Sequence, residues 1–452
     1  MTPELLQRYD QRIPRYTSYP TAPHFTPAVD GARYRQWLGE IDPSATASIY
    51  LHIPFCRELC WYCGCNMQVV RRPGPIRSYT DSLIAEIDRA TAALPARVKV
   101  GHIHFGGGSP NSLAPEDLER IMTRLRERFV VIPEAEIAVE IDPRTTIETF
   151  VNACGAAGVT RASLGVQELD AGVQRAVNRI QNYEMIARLV SQLRESGIDD
   201  INMDLMYGLP RQTVASVNDT IDKVMPLAPS RIALFGYAHV PWMKKHMRLI
   251  DESQLPDSNA RWTQFEAATG RLRGHGYVAV GMDHFSHPDS AMAKALAGGT
   301  LRRNFQGYTT DTSTTLLAFG ASAIGSLPGG YVQNETDIRH WQAAIAEGGF
   351  ATIRGCALTD DDRLRRAIIE RLMCDMEVDV DAVIRQYGGD AAAFADAFDI
   401  LEPMIRDGLV ETAGMALRMT PVGKPLVRAA ASAFDHYLHA GDSETPRHSS
   451  AI

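Results

Sequence analysis

The chain has 452 residues, room for two or three domains at ~150 residues each or for one large barrel. Its composition, 45% hydrophobic and 22% charged, is that of a soluble globular protein, and a net charge of −8 gives no global electrostatic reason to bind nucleic acid. No stretch approaches the ~18 consecutive apolar residues of a membrane helix, and the N-terminal MTPELLQRYDQR lacks the apolar core of a signal peptide, so a cytoplasmic enzyme or binding protein is expected.

From about residue 45 to residue 240, short β-rich apolar runs alternate with segments of helical period. Strands are predicted at 48–55, 101–105, 136–142, 161–167, 201–208 and 231–237, with helices at 78–94, 115–130, 146–157, 182–196 and 213–225. Pro115 followed by Glu116 and Asp117 reads as a helix start, and Gly158 and Gly197 as helix ends. Alternation of this kind predicts an α/β fold on a parallel sheet. Polar or glycine-rich residues gather at the strand C-termini: Gly106 to Ser109, Glu140 and Asp142, Gln167, Asp204, and Ala238 with His239. That edge carries the chemistry of (β/α) barrels, which favours a curved, barrel-like sheet. A helix at 255–276 and a strand at 277–285 follow. From about 355 the texture turns charged and helix-rich, ending in GLVETAGMALRMTPVGKPLVR, which reads as a small wing and a helix. The expected organisation is an N-terminal arm over 1–40, a catalytic domain over 41–350, a helical, winged-helix-like domain over 355–440, and a disordered tail over 441–452.

Of seven cysteines, four fall within ten residues, at Cys56, Cys60, Cys63 and Cys65. An odd, clustered set argues for a metal or redox site and against a disulfide framework. Cys56, Cys60 and Cys63 form C-x3-C-x2-C, whose three thiolates suit a [4Fe–4S] cluster with one iron left open. Zinc, which usually takes paired C-x2-C units, and plain core cysteines beside Trp61 and Tyr62 are the alternatives.

C-x3-C-x2-C after a first strand, with glycines after the second, resembles the radical S-adenosylmethionine (SAM) superfamily. HIPFC at 52–56, CGCN at 63–66, GGGSP at 106–110, VEIDPR at 139–144, GVQ at 165–167, NMDLMYGLP at 202–210, GYAHVP at 236–241, GMDHF at 281–285, NFQGYTT at 304–310 and the arm PRYTSYPTA at 14–22 resemble the oxygen-independent coproporphyrinogen III oxidase family. The resemblance covers essentially the whole chain. It implies a partial (β/α)6 TIM-like barrel of radical SAM type, with an N-terminal arm that contributes to the active site and a helix-rich C-terminal domain. It implies a [4Fe–4S] cluster on Cys56, Cys60 and Cys63, and two SAM molecules. The first would contact Tyr50, Gly107, Glu140, Ala238 and Ile324; the second Tyr62, Gly108, Ser109, Gln167, Arg179 and Asp204. Cys65 stays outside the ligand set, and His52, His239 and His284 read as structural histidines.

The activity implied is anaerobic oxidative decarboxylation of the A- and B-ring propionates of coproporphyrinogen III to vinyls, giving protoporphyrinogen IX in haem biosynthesis. A low-potential donor supplies the electron, and the chain is expected to act as a monomer without nucleic acid or membrane. Arg12, Arg15, Arg302 and Arg303 are the candidate propionate ligands, because guanidinium pairs carboxylate bidentately. Gln306, with Tyr50, is the candidate catalytic residue. A haem chaperone with the same core, or a radical SAM enzyme with another substrate, are the rival readings. The Cys63–Cys65 pair and the PRYTSYP arm weigh against the first, and the absence of a basic tract weighs against an RNA substrate.

Overall fold

A computed structural model describes residues 2–439; the tail expected at 441–452 lies outside them. Strands form where the β-rich runs predict them: β1 Thr46–Ile53, β2 Lys99–Gly107, β3 Val130–Ile141, β4 Arg161–Gln167, β5 Asp200–Tyr207 and β6 Arg231–Gly236. They pair in sequence order, all parallel. The crossovers carry α1 Pro73–Ala92, α2 Pro115–Arg128, α3 Glu148–Ala156, α4 Tyr183–Glu195 and α5 Val214–Val224. The side chain of Asn182 caps α4, and Thr213 with Ser216 forms a capping box on α5, satisfying free N–H groups at those helix starts.

The strand expected at 277–285 is instead a hairpin, β7 Val278–Val280 against β8 His284–Ser286, and β8 pairs antiparallel with β6. Gly281 turns the chain at φ +61°, and a Cβ there would overlap the ring of Tyr308, so the run cannot continue straight. The sheet is also wider than the six strands expected. β9 Thr315–Phe319 pairs parallel with the free edge of β1, setting Ala47 beside Thr315 and Leu51 beside Phe319. β10 Ile324–Leu327, β11 Gly330–Asn334 and β12 Thr352–Ala357 extend that side antiparallel. The result is one open, twelve-stranded sheet, ordered β12-β11-β10-β9-β1-β2-β3-β4-β5-β6-β8-β7.

Period-two alternation explains how the sheet is used. Ile103, Phe105, Leu164 and Met203 are buried in the main hydrophobic core, which also holds buried residues of the crossover helices. Ser48 of β1 and the alternating residues His102, His104, Glu136, Glu140, Arg161, Ser163, Asn202, Asp204 and Arg231 of β2 to β6 line a cavity of about 210 Å³ on the concave side. Residues from six successive strands around one cavity are what a curved, partial barrel produces. Its interior is polar and paired: Glu136 lies 2.9 Å from Arg161 and 3.7 Å from Arg231, which reaches Asp200 at 2.9 Å.

Beyond β12, α6 Asp360–Asp375 opens on a capping box between Thr359 and Asp362. A three-stranded antiparallel sheet follows: β13 Glu377–Asp379, β14 Val410–Ala413 and β15 Ala416–Met419, with β15 in the middle. Helices Val380–Tyr387 and Ala395–Arg406 lie between its first two strands. These elements share a second core, into which the N-terminal arm inserts Tyr9, Ile13, Tyr16 and Tyr19. The hydroxyl of Tyr16 donates to Asp435 at 3.0 Å, and buried Arg428 donates to the carbonyl of Pro14 at 3.0 Å. Among the described residues, no helix is long and apolar enough to cross a membrane.

Candidate active site

The cysteine loop begins two residues after β1. Phe55–Cys56 pairs with Gln68–Val69, closing the loop at its base. Its outer part is tied to distant segments: Trp61 N–H donates to Val177 O at 3.0 Å, Asn178 to Leu59 O at 2.7 Å, and His246 to Cys63 O at 2.8 Å. Cys56 and Cys60 are buried and Cys63 is half-buried.

The three sulfurs lie on the wall of a cavity of about 170 Å³. Facing them are Gly107, Gly108 and Ser109 from the turn after β2, Glu140 from β3, Gln167 from β4 and Asp204 from β5, together with Tyr62 and Arg179. Gln167 holds a left-handed φ of +67°, strain of the kind that collects at functional sites. The glycines have a reason other than open space for a ligand. A Cβ on Gly107, at φ +115°, would stand 2.6 Å from the His52 ring, and one on Gly108 would stand 2.7 Å from Phe55 O. Close packing of the turn on His52 of β1 and on Phe55 at the base of the cysteine loop requires them.

Electrostatics divide the acids and thiols. Burial opposes ionisation of Glu140, but donation from His104 at 3.0 Å and from the Gly107 N–H at 3.2 Å holds its carboxyl below the usual range. Burial and the charge of Glu140 push Asp204 up to about 6, against bonds from Asn202 at 2.7 Å and Ser163 at 3.2 Å. Burial raises Cys56 to about 11, while the Cys65 thiol, bonded to Cys63, holds Cys63 down at about 6. Two guanidiniums converge on Cys60: Arg144 Nη2 at 3.1 Å and Arg179 Nη1 at 3.3 Å. Among the described residues no three His, Cys, Asp or Glu side chains converge as ligands of a single metal ion. Three thiols on one cavity wall, one of them under two cations, form a donor set suited to an anionic iron–sulfur cluster.

The remaining predicted residues are dispersed. Tyr50 donates to or accepts from His52 Nδ1 at 3.1 Å and packs against Gly106, beside the cavity. Ala238 lines a separate small cavity with Arg15, and Ile324 begins β10. Gln306 lines the barrel interior. The four candidate arginines gather in part: Arg303 Nε donates to the Arg15 carbonyl at 3.3 Å and lines a third cavity with Arg302, whereas the Arg15 guanidinium reaches Gly236 O at 3.5 Å and Arg12 stacks on Trp242. Arg144 was not assigned a role from sequence, although it stands two residues after Asp142 in the quoted VEIDPR run.

Residues 50–224 match the radical SAM superfamily, and residues 358–426 the HemN C-terminal domain. The chain is 51% identical over 432 residues to the oxygen-independent coproporphyrinogen III oxidase of Bradyrhizobium diazoefficiens, covering 96% of each chain. It is 41% identical over 449 residues to the oxidase of the same name from Paracoccus denitrificans, covering 99% of this chain and 98% of that one. The solved structure of coproporphyrinogen III oxidase (HemN) from Escherichia coli, a radical SAM enzyme, superposes with a TM-score of 0.90 at 37% identity, over 94% of this chain and 100% of that one.

Proposed function

The chain belongs to the oxygen-independent coproporphyrinogen III oxidases of the radical SAM superfamily, and we infer from this membership that it converts coproporphyrinogen III to protoporphyrinogen IX in haem biosynthesis. The observation that carries the reading is the single cavity joining Cys56, Cys60 and Cys63 to Glu140, Arg179 and Asp204. When bound, the cluster and SAM supply a 5′-deoxyadenosyl radical able to take an unactivated hydrogen from a propionate β-carbon.

The chain's own residues bind, orient and exclude water. Cys56, Cys60 and Cys63 hold the cluster, and the guanidiniums of Arg144 and Arg179 stabilise negative charge at Cys60. Glu140, kept ionised by His104, offers a carboxylate to ribose hydroxyls. Tyr50, Gly107, Glu140, Ala238 and Ile324 serve one SAM; Tyr62, Gly108, Ser109, Gln167, Arg179 and Asp204 serve a second, a reading supported by the second set lining one cavity. The barrel interior shares Glu140, Ser163 and Asp204 with that cavity, so a propionate entering past Gln306 approaches the radical source. Arg302 and Arg303 contribute to carboxylate binding. A low-potential donor delivers the electron, and we take the setting to be cytoplasmic and the working form to be a monomer.

The test is anaerobic incubation of reconstituted protein with SAM, a reductant, an electron acceptor and coproporphyrinogen III. The reading requires a product lighter by two CO2 and two H2, absent with Cys56→Ala. SAM cleavage without that product would overturn it.

A further inference from the structure

A strongly cationic cavity lies away from the cysteine loop. It has a volume of about 290 Å³ and is bounded by the N-terminal arm, the segment before β9 and helix α6. Arg302 and Arg303 reach it from the catalytic domain, and Arg363 and Arg366 from α6. Only two acids line it. Glu370 is taken by Arg302 at 3.4 Å, and Asp311 by Ser48 and by His102 at 3.2 Å. Arg303 lies over the Tyr308 ring, 4.4 Å from its centroid, and its buried Nη1 has no hydrogen-bond partner. Arg366 lies over Tyr331, 5.5 Å from the centroid, and Arg363 forms no ion pair among the described residues.

Arg303, Arg363 and Arg366 thus share a partly enclosed, aromatic-walled cavity without a direct ion pair, with Glu370 near Arg366 and Asp283 near Arg303, in a chain of net charge −8. Orphaned buried donors are costly unless an acceptor arrives. The cavity also adjoins the barrel interior: Asn304, Thr309, Asp311 and Leu316 line both. Along β1, Ser48 marks the end near Asp311 and Ile53 the end near Gly107, five residues or about 17 Å apart. The interior therefore runs from the radical source to the arginine cavity.

We propose that this cavity binds the carboxylate edge of a flat, polycarboxylate tetrapyrrole, and that Arg363 and Arg366 make α6 part of the substrate site. The proposal rests on the oxidase reading for the identity of its ligand. The α6 arginines hold the propionates that do not react, while aromatic walls such as Tyr331 and Phe305 face the macrocycle.

The test uses full-length, cluster-reconstituted protein and the fluorescent, unreactive coproporphyrin III as probe. Arg363→Gln and Arg366→Gln are each expected to weaken its binding about tenfold, as losing a charge-assisted bond does. The KM for coproporphyrinogen III rises with little change in kcat, and the coproporphyrin tetramethyl ester binds wild type as weakly as the acid binds the variants. Arg406→Gln, whose side chain pairs with Glu402 on the surface, leaves binding unchanged. Half-buried Arg366 touches a core ring, so Arg363→Gln decides the matter if Arg366→Gln misfolds. Unchanged coproporphyrin binding in Arg363→Gln, or an ester bound as tightly as the acid, overturns the proposal. Normal turnover with arginine-independent binding refutes this site and leaves the oxidase standing. Arginine-dependent binding without protoporphyrinogen supports the site and refutes the oxidase.

Discussion

Arg144 Nη2 lies 3.1 Å from the sulfur of Cys60, with the arginine side chain only 4% exposed. A second guanidinium, that of Arg179, approaches the same sulfur at 3.3 Å. Hydrogen bonds to cysteine sulfur and nearby positive charge stabilise the more negative, reduced form of an iron–sulfur cluster. Arg144→Leu should therefore lower the reduction potential of the reconstituted protein. At a fixed poise the reduced-to-oxidised ratio falls about tenfold, a shift of about 59 mV for one electron. Arg144→Lys keeps part of the effect. An EPR-monitored redox titration reads it, and an unmoved midpoint in Arg144→Leu would show that the contact does not tune the cluster.

Glu86 predicts a pH dependence of stability. Its carboxyl sits in the core, 3% exposed, accepting from Gly320 N–H at 2.7 Å, Asn334 at 2.6 Å and Trp341 at 3.3 Å, and so ties α1 to the β9 and β11 side of the sheet. Burial outweighs these donors and raises it from the ordinary 4.5 to about 7. Because the folded value lies above the unfolded one, the contribution is fully present below pH 4.5 and is lost as pH rises through 7. The loss amounts to about 3 kcal/mol. Denaturant melts at pH 5 and pH 8 should show this slope. Glu86→Gln removes it while adding a constant penalty, because its amide N–H faces that of Gly320.

Gly107→Ala should disable the site from inside the turn. The new Cβ meets the His52 ring at 2.6 Å, and φ +115° is unfavourable for any side chain. A cost of about 1–3 kcal/mol is expected, with reduced iron incorporation because the turn packs on the cysteine loop. A variant with wild-type melting and iron content would contradict this account of the glycine run.

Much of this arrangement was legible from residue types. The C-x3-C-x2-C loop, the glycines at the end of β2, Glu140 near the end of β3 and Asp204 within β5 stood at positions that the fold brings together. β9 was not legible, because TLLAF is buried on both faces and carries no alternation to mark it as a strand. The hairpin at 278–286 depends on the contact between Gly281 and Tyr308, which lies 27 residues further along the chain. Arg144 and Arg179 reach Cys60 across separations of 84 and 119 residues, and Arg363 meets Arg303 only through the docking of α6. Such convergence is a product of tertiary packing and leaves no local pattern.

Cys65 and Cys63 should separate in iron content. Cys65 is exposed and bonds to Cys63, while Cys56, Cys60 and Cys63 make up the three-thiol set. Cys65→Ala should keep wild-type iron and sulfide per chain after anaerobic reconstitution, whereas Cys63→Ala loses most of both. Equal loss in the two variants would make Cys65 a ligand.

The central claim is that this chain couples SAM cleavage to propionate decarboxylation. The most direct measurement quantifies 5′-deoxyadenosine and protoporphyrinogen IX together in one anaerobic reaction with coproporphyrinogen III. The account predicts two nucleosides for each doubly decarboxylated product, and neither compound in Cys56→Ala. Nucleoside release that continues without any porphyrin product, or tight haem binding with no turnover, would contradict it.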